Sequence, residues 1–434
     1  LLYEILEILS RSNLFLTGGG GVGKSYITKE IIHAYKKAGK NIVILGSTGI
    51  SAVGIGGVSC HSFFKFGISS NFEELKLLDR KQRGKLSELK KIIESCDLLI
   101  IDEVSMISSE LMEMINYRLI SFKFRGRILL VGDFYQLPPV KKTDPNALFS
   151  FNYAFSSSAW NGLNLCNVEL LLSKRTSDLK FYELLSRIRI GEIDSEICEF
   201  LSSRLVEEIP KDMTVLFGRN YDADRLNEQR LSQIDAKLEN LVASVDIYDT
   251  KLSDEAIDKW INNLNSPYEL KLKIGAKVMF LTNKWGEYFN GEQGVVVDFI
   301  KNENIIQSIL VKKDNDVIIE VEPCKYELYD FGLDGDEVTQ NIRASFMQFP
   351  LKLAYAITIH KSQGMSIERF ACSLDHIFAN GQLYVALSRA TNPNGLYLYY
   401  SKSANFQNYL KSVVKIDNEV RDFYENTKFI KENI

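Results

Sequence analysis

Four apolar runs punctuate the first 140 residues of this chain. Leu14-Phe15-Leu16, Ile42-Val43-Ile44-Leu45, Leu98-Leu99-Ile100-Ile101 and Ile128-Leu129-Leu130-Val131 are unbroken by polar residues. Such runs suit strands covered on both faces, as in a parallel sheet. Helical spacing of apolar residues occupies the stretches between them, for example 86–93 and 110–119. Strand and helix therefore alternate, which predicts a doubly wound α/β sheet. A polar, charged segment at 69–85 breaks the rhythm and is predicted to leave the core as a small excursion.

The alternation returns in two later pieces. Residues 166–230 hold Val168-Glu169-Leu170-Leu171-Leu172, a helical stretch at 178–190 and Thr214-Val215-Leu216-Phe217. Residues 346–434 hold an apolar run at 353–359 and Leu396-Tyr397-Leu398-Tyr399-Tyr400. Between these pieces, 270–325 has short β-like runs with turn signals, among them Asn290-Gly291, a strong hairpin dipeptide. The pattern predicts a first α/β domain over 1–165 with a small insertion near 65–85. It predicts a second α/β domain from 166–230 and 346–434. An inserted subdomain over 231–345 would carry the β-rich part near 270–325.

Composition narrows the class. The chain has 434 residues, of which 45% are hydrophobic and 25% charged, an ordinary globular balance. Its formal net charge is −4, so any groove for an anionic polymer must be a local patch. The six cysteines are scattered without a C-x-x-C pair, which argues against a zinc site or a disulfide scaffold and fits a reducing cell interior. No apolar run is long enough to span a membrane. The chain opens on Leu1 without a signal-like segment, so a piece of a longer protein is expected.

Chemistry concentrates at the ends of the apolar runs. Gly18-Gly19-Gly20-Gly21-Val22-Gly23-Lys24-Ser25 follows the first run and opens a helical stretch, the arrangement of a phosphate-binding loop. Its glycines let several backbone N–H groups converge on one anion at a helix N-terminus. Lys24 is placed to reach the β- and γ-phosphates of a nucleoside triphosphate, and Ser25 to bind Mg²⁺. Asp102 and Glu103 end the third run. Asp102 is placed to hold Mg²⁺ with Ser25, and Glu103 to orient and deprotonate an attacking water. Gln136 follows the fourth run and offers a neutral amide to the γ-phosphate or that water.

With these residues in order, the chain resembles superfamily 1B DNA helicases, most closely the PIF (petite integration frequency) family, with RecD-type helicases as nearest relatives. Thr48-Gly49-Ile50-Ser51-Ala52 with Cys60-His61-Ser62-Phe63-Phe64 is similar to that family's motif Ia region. Asp102-Glu103-Val104-Ser105-Met106 resembles motif II, and Gly132-Asp133-Phe134-Tyr135-Gln136-Leu137-Pro138-Pro139-Val140 motif III. Ser173-Lys174-Arg175-Thr176, with Ile188-Arg189-Ile190-Gly191, resembles motif IV and its helix. The run from Leu353 through Thr358, His360, Lys361, Ser362 and Gly364 to Met365 resembles motif V. Gln382-Leu383-Tyr384-Val385-Ala386-Leu387-Ser388-Arg389-Ala390 resembles motif VI.

The resemblance implies an α/β protein of two RecA-like domains with parallel sheets and an inserted SH3-like subdomain. It implies an ATP-dependent 5′→3′ DNA helicase using ATP and Mg²⁺, with Gly364 joining the nucleotide-binding set. Arg175 and Arg389 would clamp the γ-phosphate beside Lys24, Asp102, Glu103 and Gln136. Single-stranded DNA would be held by Thr48, Gly49, His61, Ser62, Thr358, His360, Lys361 and Ser362. Phe63 and Phe64 would either stack on bases or pack in the core. Asn283, Lys284 and Trp285 of the inserted region are further DNA candidates. The partners implied are single-stranded and forked or tailed duplex DNA, and the setting an intracellular monomer. Two other classes compete: an ATPase that moves on single strands and remodels protein–DNA complexes without unwinding, and a P-loop switch.

The chain departs from the family pattern in three places. Residues 1–13 lack the glutamine that usually reads adenine. Lys174-Arg175-Thr176 keeps only the arginine of motif IV's Phe-Arg-Gln. The signature between motifs II and III is only partly echoed at 119–128.

Overall fold

The computed structural model describes residues 1–48, 51–52, 56–67, 69, 72–139, 153–402 and 404–432. Two compact units emerge. The first comprises Leu1–Lys174, Leu328–Arg343 and Ile416–Ile434, and the second Arg175–Glu327 and Ala344–Lys415.

The apolar runs form the first unit's sheet. β1 (Leu14–Gly18), β2 (Ile42–Gly46), β3 (Val58–Ser59), β4 (Leu98–Asp102), β5 (Arg127–Val131) and β6 (Cys166–Leu170) all pair in parallel. A last strand, Ile430–Glu432, runs parallel to β6 at the edge. The strand order is Ile430–Glu432, β6, β1, β5, β4, β2, β3. Every residue of β1, β2 and β4 is buried, as unbroken apolar runs require when helices cover both faces. One core cluster joins Phe15 of β1 and Phe134 of the turn after β5 with Leu89, Ile92, Ile115, Leu119 and Trp160 from the covering helices.

Three expected boundaries move. Residues 328–343, expected in the inserted subdomain, belong to the first unit. The run at 168–172 was assigned to the second domain, but β6 pairs with β1 over its whole length. The segment after 415, also assigned to the second domain, belongs to the first unit. Its helix Asn418–Asn426 inserts Phe423 against Phe155, stacked at 4.4 Å, and against Phe134 at 5.5 Å.

The excursion at 69–85 becomes two helices, Phe72–Lys81 and Arg83–Ser95. It is tied down by Arg118 of the helix Ser109–Ser121, which is 2% exposed. The two Arg118 Nη atoms donate to the two Asp79 carboxylate oxygens at 2.6 Å each, and Nε donates to the Phe64 carbonyl at 3.2 Å. The rings of Phe66 and Phe122 lie 5.7 Å from its guanidinium carbon. A planar fork meeting a carboxylate satisfies both charges in a place where water is scarce.

The second unit has its own parallel sheet, in the order Ala356–Thr358, Thr214–Phe217, Phe370–Ser373, Leu396–Tyr399. A five-stranded antiparallel sheet holds Ile318–Val321, Ile305–Lys313, Gln293–Asn302, Lys277–Phe280 and Leu351–Leu353, in that order. Asn290-Gly291 does not make a two-residue hairpin. It lies in the longer connection 281–292, where Gly291 takes φ +94° and its N–H donates to the Phe280 carbonyl.

Arg118→Met is expected to destabilise the first unit by about 3 kcal/mol, because it strands a partly buried carboxylate and the Phe64 carbonyl together. Urea unfolding measures this. A midpoint equal to that of the parent protein would show that the excursion is held by its apolar contacts alone.

Candidate nucleotide site and DNA-contacting elements

Three neighbouring strands deliver their carboxyl ends to one edge of the first sheet. β5 lies between β1 and β4. The glycine loop after β1, the carboxylates after β4 and the 132–136 turn after β5 therefore share that edge, where ligands of open α/β sheets bind. Gly18 opens the loop with φ +137°, and a Cβ there would stand 2.4 Å from the Leu170 carbonyl oxygen. Gly19, Gly20, Gly21 and Val22 lead to Gly23, which caps the helix Lys24–Lys37. The loop thus turns its backbone towards the start of a long helix, a ready anion site. Lys24 Nζ donates to the carbonyls of Gly18 at 2.6 Å and Gly19 at 2.9 Å. Ser25 is exposed on the first helical turn.

Asp102 ends β4 and is 8% exposed. Its Oδ1 accepts the Glu103 N–H at 2.9 Å. Burial pushes its pKa up to about 6, against the opposing pull of that hydrogen bond and of the Lys24 ammonium. Asp102 and Lys24 therefore share one electrostatic environment. A carboxylate that burial disfavours and an accessible hydroxyl at Ser25 form a hard oxygen donor set, which fits Mg²⁺. Glu103 follows in the left-handed region, φ +53° and ψ +45°, which is strained for a residue with a Cβ. Gly132 permits the next turn to pack on this one: a Cβ there would meet the Val104 nitrogen at 2.9 Å.

Gln136 is 6% exposed. Its Nε2 donates to Asp133 Oδ2 at 3.1 Å, and its backbone N–H to the Asp133 carbonyl at 2.9 Å. Asp133 is wholly buried and its Oδ1 accepts the Tyr135 N–H at 3.2 Å.

In the second unit, the predicted arginines both donate to Ser388. Arg175 is half-buried. Its Nη1 donates to the Ser388 carbonyl at 2.6 Å and its Nε to Ser366 Oγ at 2.9 Å. Burial lowers its pKa to about 10, which leaves it cationic at neutral pH. Arg389 is 2% exposed. It donates to the carbonyls of Val385 (2.8 Å), Ser362 (3.3 Å) and Met365 (3.4 Å) and to Ser388 Oγ (2.9 Å). Both guanidinium groups thereby brace the loop that carries His360, Lys361 and Gly364. Gly364 is exposed, with φ +80°.

The DNA candidates divide. Thr48 is half-buried and exchanges hydrogen bonds with Ser51; Gly49 lies outside the described residues. His61 is half-buried and Ser62 exposed. Phe63 corrects an expectation. It is 1% exposed and packs edge-on against Phe64 at 4.9 Å and Phe331 at 5.6 Å, so it belongs to the core and cannot stack on a base. The hydroxyls of Thr358 and Ser362 are also internal. Ser362 is fully buried and donates to the Ile359 carbonyl at 2.8 Å, while Thr358 Oγ1 accepts the Lys361 N–H at 3.4 Å. These two shape the loop. His360 is half-buried and Lys361 exposed, and burial lowers the His360 pKa. Asn283, Lys284 and Trp285 are exposed, with Asn283 Oδ1 accepting the Asn290 N–H at 2.7 Å and Lys284 paired to Glu287 at 2.9 Å.

Sequence reasoning passed over Lys352. It is half-buried, and its Nζ donates to Asn265 Oδ1 at 3.2 Å. Burial, then the charge of Lys361, push its pKa down to about 7. A lysine inside an apolar strand carries no local mark of that neighbourhood. It also passed over Tyr424, which reaches the motif III turn from the C-terminal helix.

A family model described as PIF1-like helicase matches residues 3–198. The chain is 45% identical over 436 residues to the ATP-dependent DNA helicase Pif1 of Campylobacter jejuni, covering 98% of this chain and 97% of that protein. Among solved structures it is similar to a Bacteroides sp Pif1 in complex with ADP-AlF4, with a TM-score of 0.82 and 26% identity over 98% of this chain and 95% of that one. A Bacteroides Pif1 bound to single-stranded DNA superposes with a TM-score of 0.63 and 27% identity, with the same coverage.

Arg389→Ala is expected to cost about 3 kcal/mol of stability and Arg175→Ala about 1 kcal/mol, since the first leaves several buried acceptors without a donor. Denaturant midpoints of the two variants test the ranking, and equal losses would contradict it. Lys352 takes up its proton as pH falls through about 7, which adds positive charge beside Lys361. Single-strand affinity is expected to rise by roughly threefold more in the parent than in Lys352→Met between about pH 8 and about pH 6.5. Fluorescence anisotropy with labelled oligo-dT reads this, and parallel pH profiles would remove Lys352 from the DNA track.

Proposed function

The chain belongs to the PIF1-like helicase family and is an ATP-dependent DNA helicase; we propose that it translocates 5′→3′ on single-stranded DNA and opens tailed or forked duplexes, as a monomer acting inside the cell. The observation that carries the residue assignment is the meeting of Lys24, Asp102, Glu103 and Gln136 at the carboxyl ends of β1, β4 and β5.

In this reading the glycine loop binds the phosphates of ATP through its backbone N–H groups. Lys24 leaves the Gly18 and Gly19 carbonyls for the β- and γ-phosphates. Ser25 and Asp102 would hold Mg²⁺, which would supply positive charge beside the phosphates. Glu103 accepts the proton of the attacking water, and Gln136 orients that water against the γ-phosphate. Arg175 and Arg389 supply cationic charge to the transferring phosphoryl group. Their hydrogen bonds to Ser362, Met365, Ser366 and Ser388 give the nucleotide state a mechanical connection to His360 and Lys361. Thr48, His61, Ser62, His360, Lys361, Asn283 and Lys284 grip phosphates without reading sequence.

The test is ATP hydrolysis with and without oligo-dT, followed by strand displacement on 5′- and 3′-tailed duplexes. Oligo-dT should stimulate hydrolysis, and only the 5′-tailed duplex should open. Lys24→Ala and Glu103→Gln should each lose about 100-fold or more in kcat. Stimulation without displacement would select a translocase that remodels protein–DNA complexes. Undiminished unwinding by either variant would sink the assignment.

A further inference from the structure

The C-terminal helix packs its rings on the motif III turn and adds one hydroxyl group to that turn's hydrogen bonds. Tyr424 is separated from Thr17 by 407 positions, yet its OH lies 2.8 Å from Thr17 Oγ1. Thr17 is fully buried and immediately precedes Gly18, the first residue of the phosphate loop. The Phe134 N–H donates to the same Tyr424 oxygen at 3.3 Å, and the Tyr424 OH points to Asp133 Oδ1 at 3.5 Å. A phenol has one proton to give and two lone pairs to fill. Accepting from Phe134 and Thr17 while donating to Asp133 uses all three. The Tyr424 ring is clamped as well. It stacks on Tyr135 at 4.4 Å and on Phe429 at 5.3 Å.

Asp133 passes this anchorage onward. Its two oxygens are divided: Oδ1 faces Tyr135 and Tyr424, and Oδ2 faces the Gln136 Nε2. The side-chain amide of Gln136 can be turned either way about its last bond, and an acceptor at Asp133 Oδ2 selects the orientation with Nε2 inward and Oε1 outward. The helix that carries Tyr424 is docked independently of this hydroxyl. Ser156 Oγ donates to Glu419 Oε2 at 3.2 Å, and the strand Ile430–Glu432 pairs with Val168–Leu170 of β6.

We propose that Tyr424 is a positioning residue for ATP hydrolysis, fixing through Asp133 the orientation in which Gln136 presents its amide to the γ-phosphate or the attacking water. The inference rests on the assignment of Gln136 to that role. It makes the segment after 415 a working part of the nucleotide site, although it lies outside every helicase motif of the chain.

The test uses the full chain and compares Tyr424→Phe, Gln136→Ala and the double variant by oligo-dT-stimulated ATP hydrolysis, well below the unfolding midpoint of each. Tyr424→Phe keeps the stacked ring and removes only the hydroxyl. It should lower kcat by about 5- to 10-fold while KM for ATP stays within about twofold. Gln136→Ala should lower kcat at least as far, and adding Tyr424→Phe to it should cost nothing more, because the residue being positioned is gone. A Tyr424→Phe protein with the parent kcat, beside an impaired Gln136→Ala protein, would overturn the inference alone. So would losses that multiply in the double variant. An unimpaired Gln136→Ala protein would overturn both the inference and the role on which it rests.

Discussion

Parallel strands all end on the same side of their sheet, and their order decides which ends become neighbours. In the first unit β5 separates β1 from β4. A phosphate loop, a pair of carboxylates and an amide-bearing turn are thereby set side by side, although they are about 80 and 110 residues apart along the chain. Each lies on a short connection whose geometry is already dictated by the strand it follows. Gly18 against Leu170 and Gly132 against Val104 are two backbone approaches at this edge with no room for a side chain. They lock the loop to β6 and the third turn to the second. Nucleotide chemistry on this scaffold follows from those close backbone approaches.

Charge inside the protein is managed by local partners. The Lys24 ammonium rests on two loop carbonyls, and the Arg389 guanidinium on three carbonyls and a hydroxyl. Carbonyl dipoles help to fix the position of each cation, and the Lys24 charge also acts on Asp102, whose ionised form it favours. Burial of Asp102 opposes its charge, so a cation at the site recovers energy that the fold has stored. The Arg118 and Asp79 pair, by contrast, is closed on itself, and its role is to hold the excursion after Phe64 in place.

The strands at 14–18, 42–46, 98–102 and 127–131 were legible because burial on both faces demands unbroken apolar runs. The phosphate loop and Asp102-Glu103 were legible because their chemistry is local in the chain. What could not be read locally was pairing. Val168 to Leu172 has the same texture whichever sheet it joins, and only its contact with β1 decides the matter. Phe63 was ambiguous because a base and a core both select for aromatic rings. Ser362 and Thr358 carry hydroxyls suited to phosphate, but the loop consumes them internally. Tyr424 gave no sign, since the partners of its hydroxyl come from 290 and more positions away.

The strand Ile430–Glu432 also has a consequence for biosynthesis. It pairs with β6 and covers what would otherwise be an open sheet edge. Ribosomes release chains from the amino end, so the first unit must wait for its final strand until all of the second unit has emerged. During that interval β6 presents an unpaired edge beside the exposed aromatic cluster that Phe423 later fills, a surface prone to mispairing. The edge of this sheet is therefore closed only at the end of synthesis.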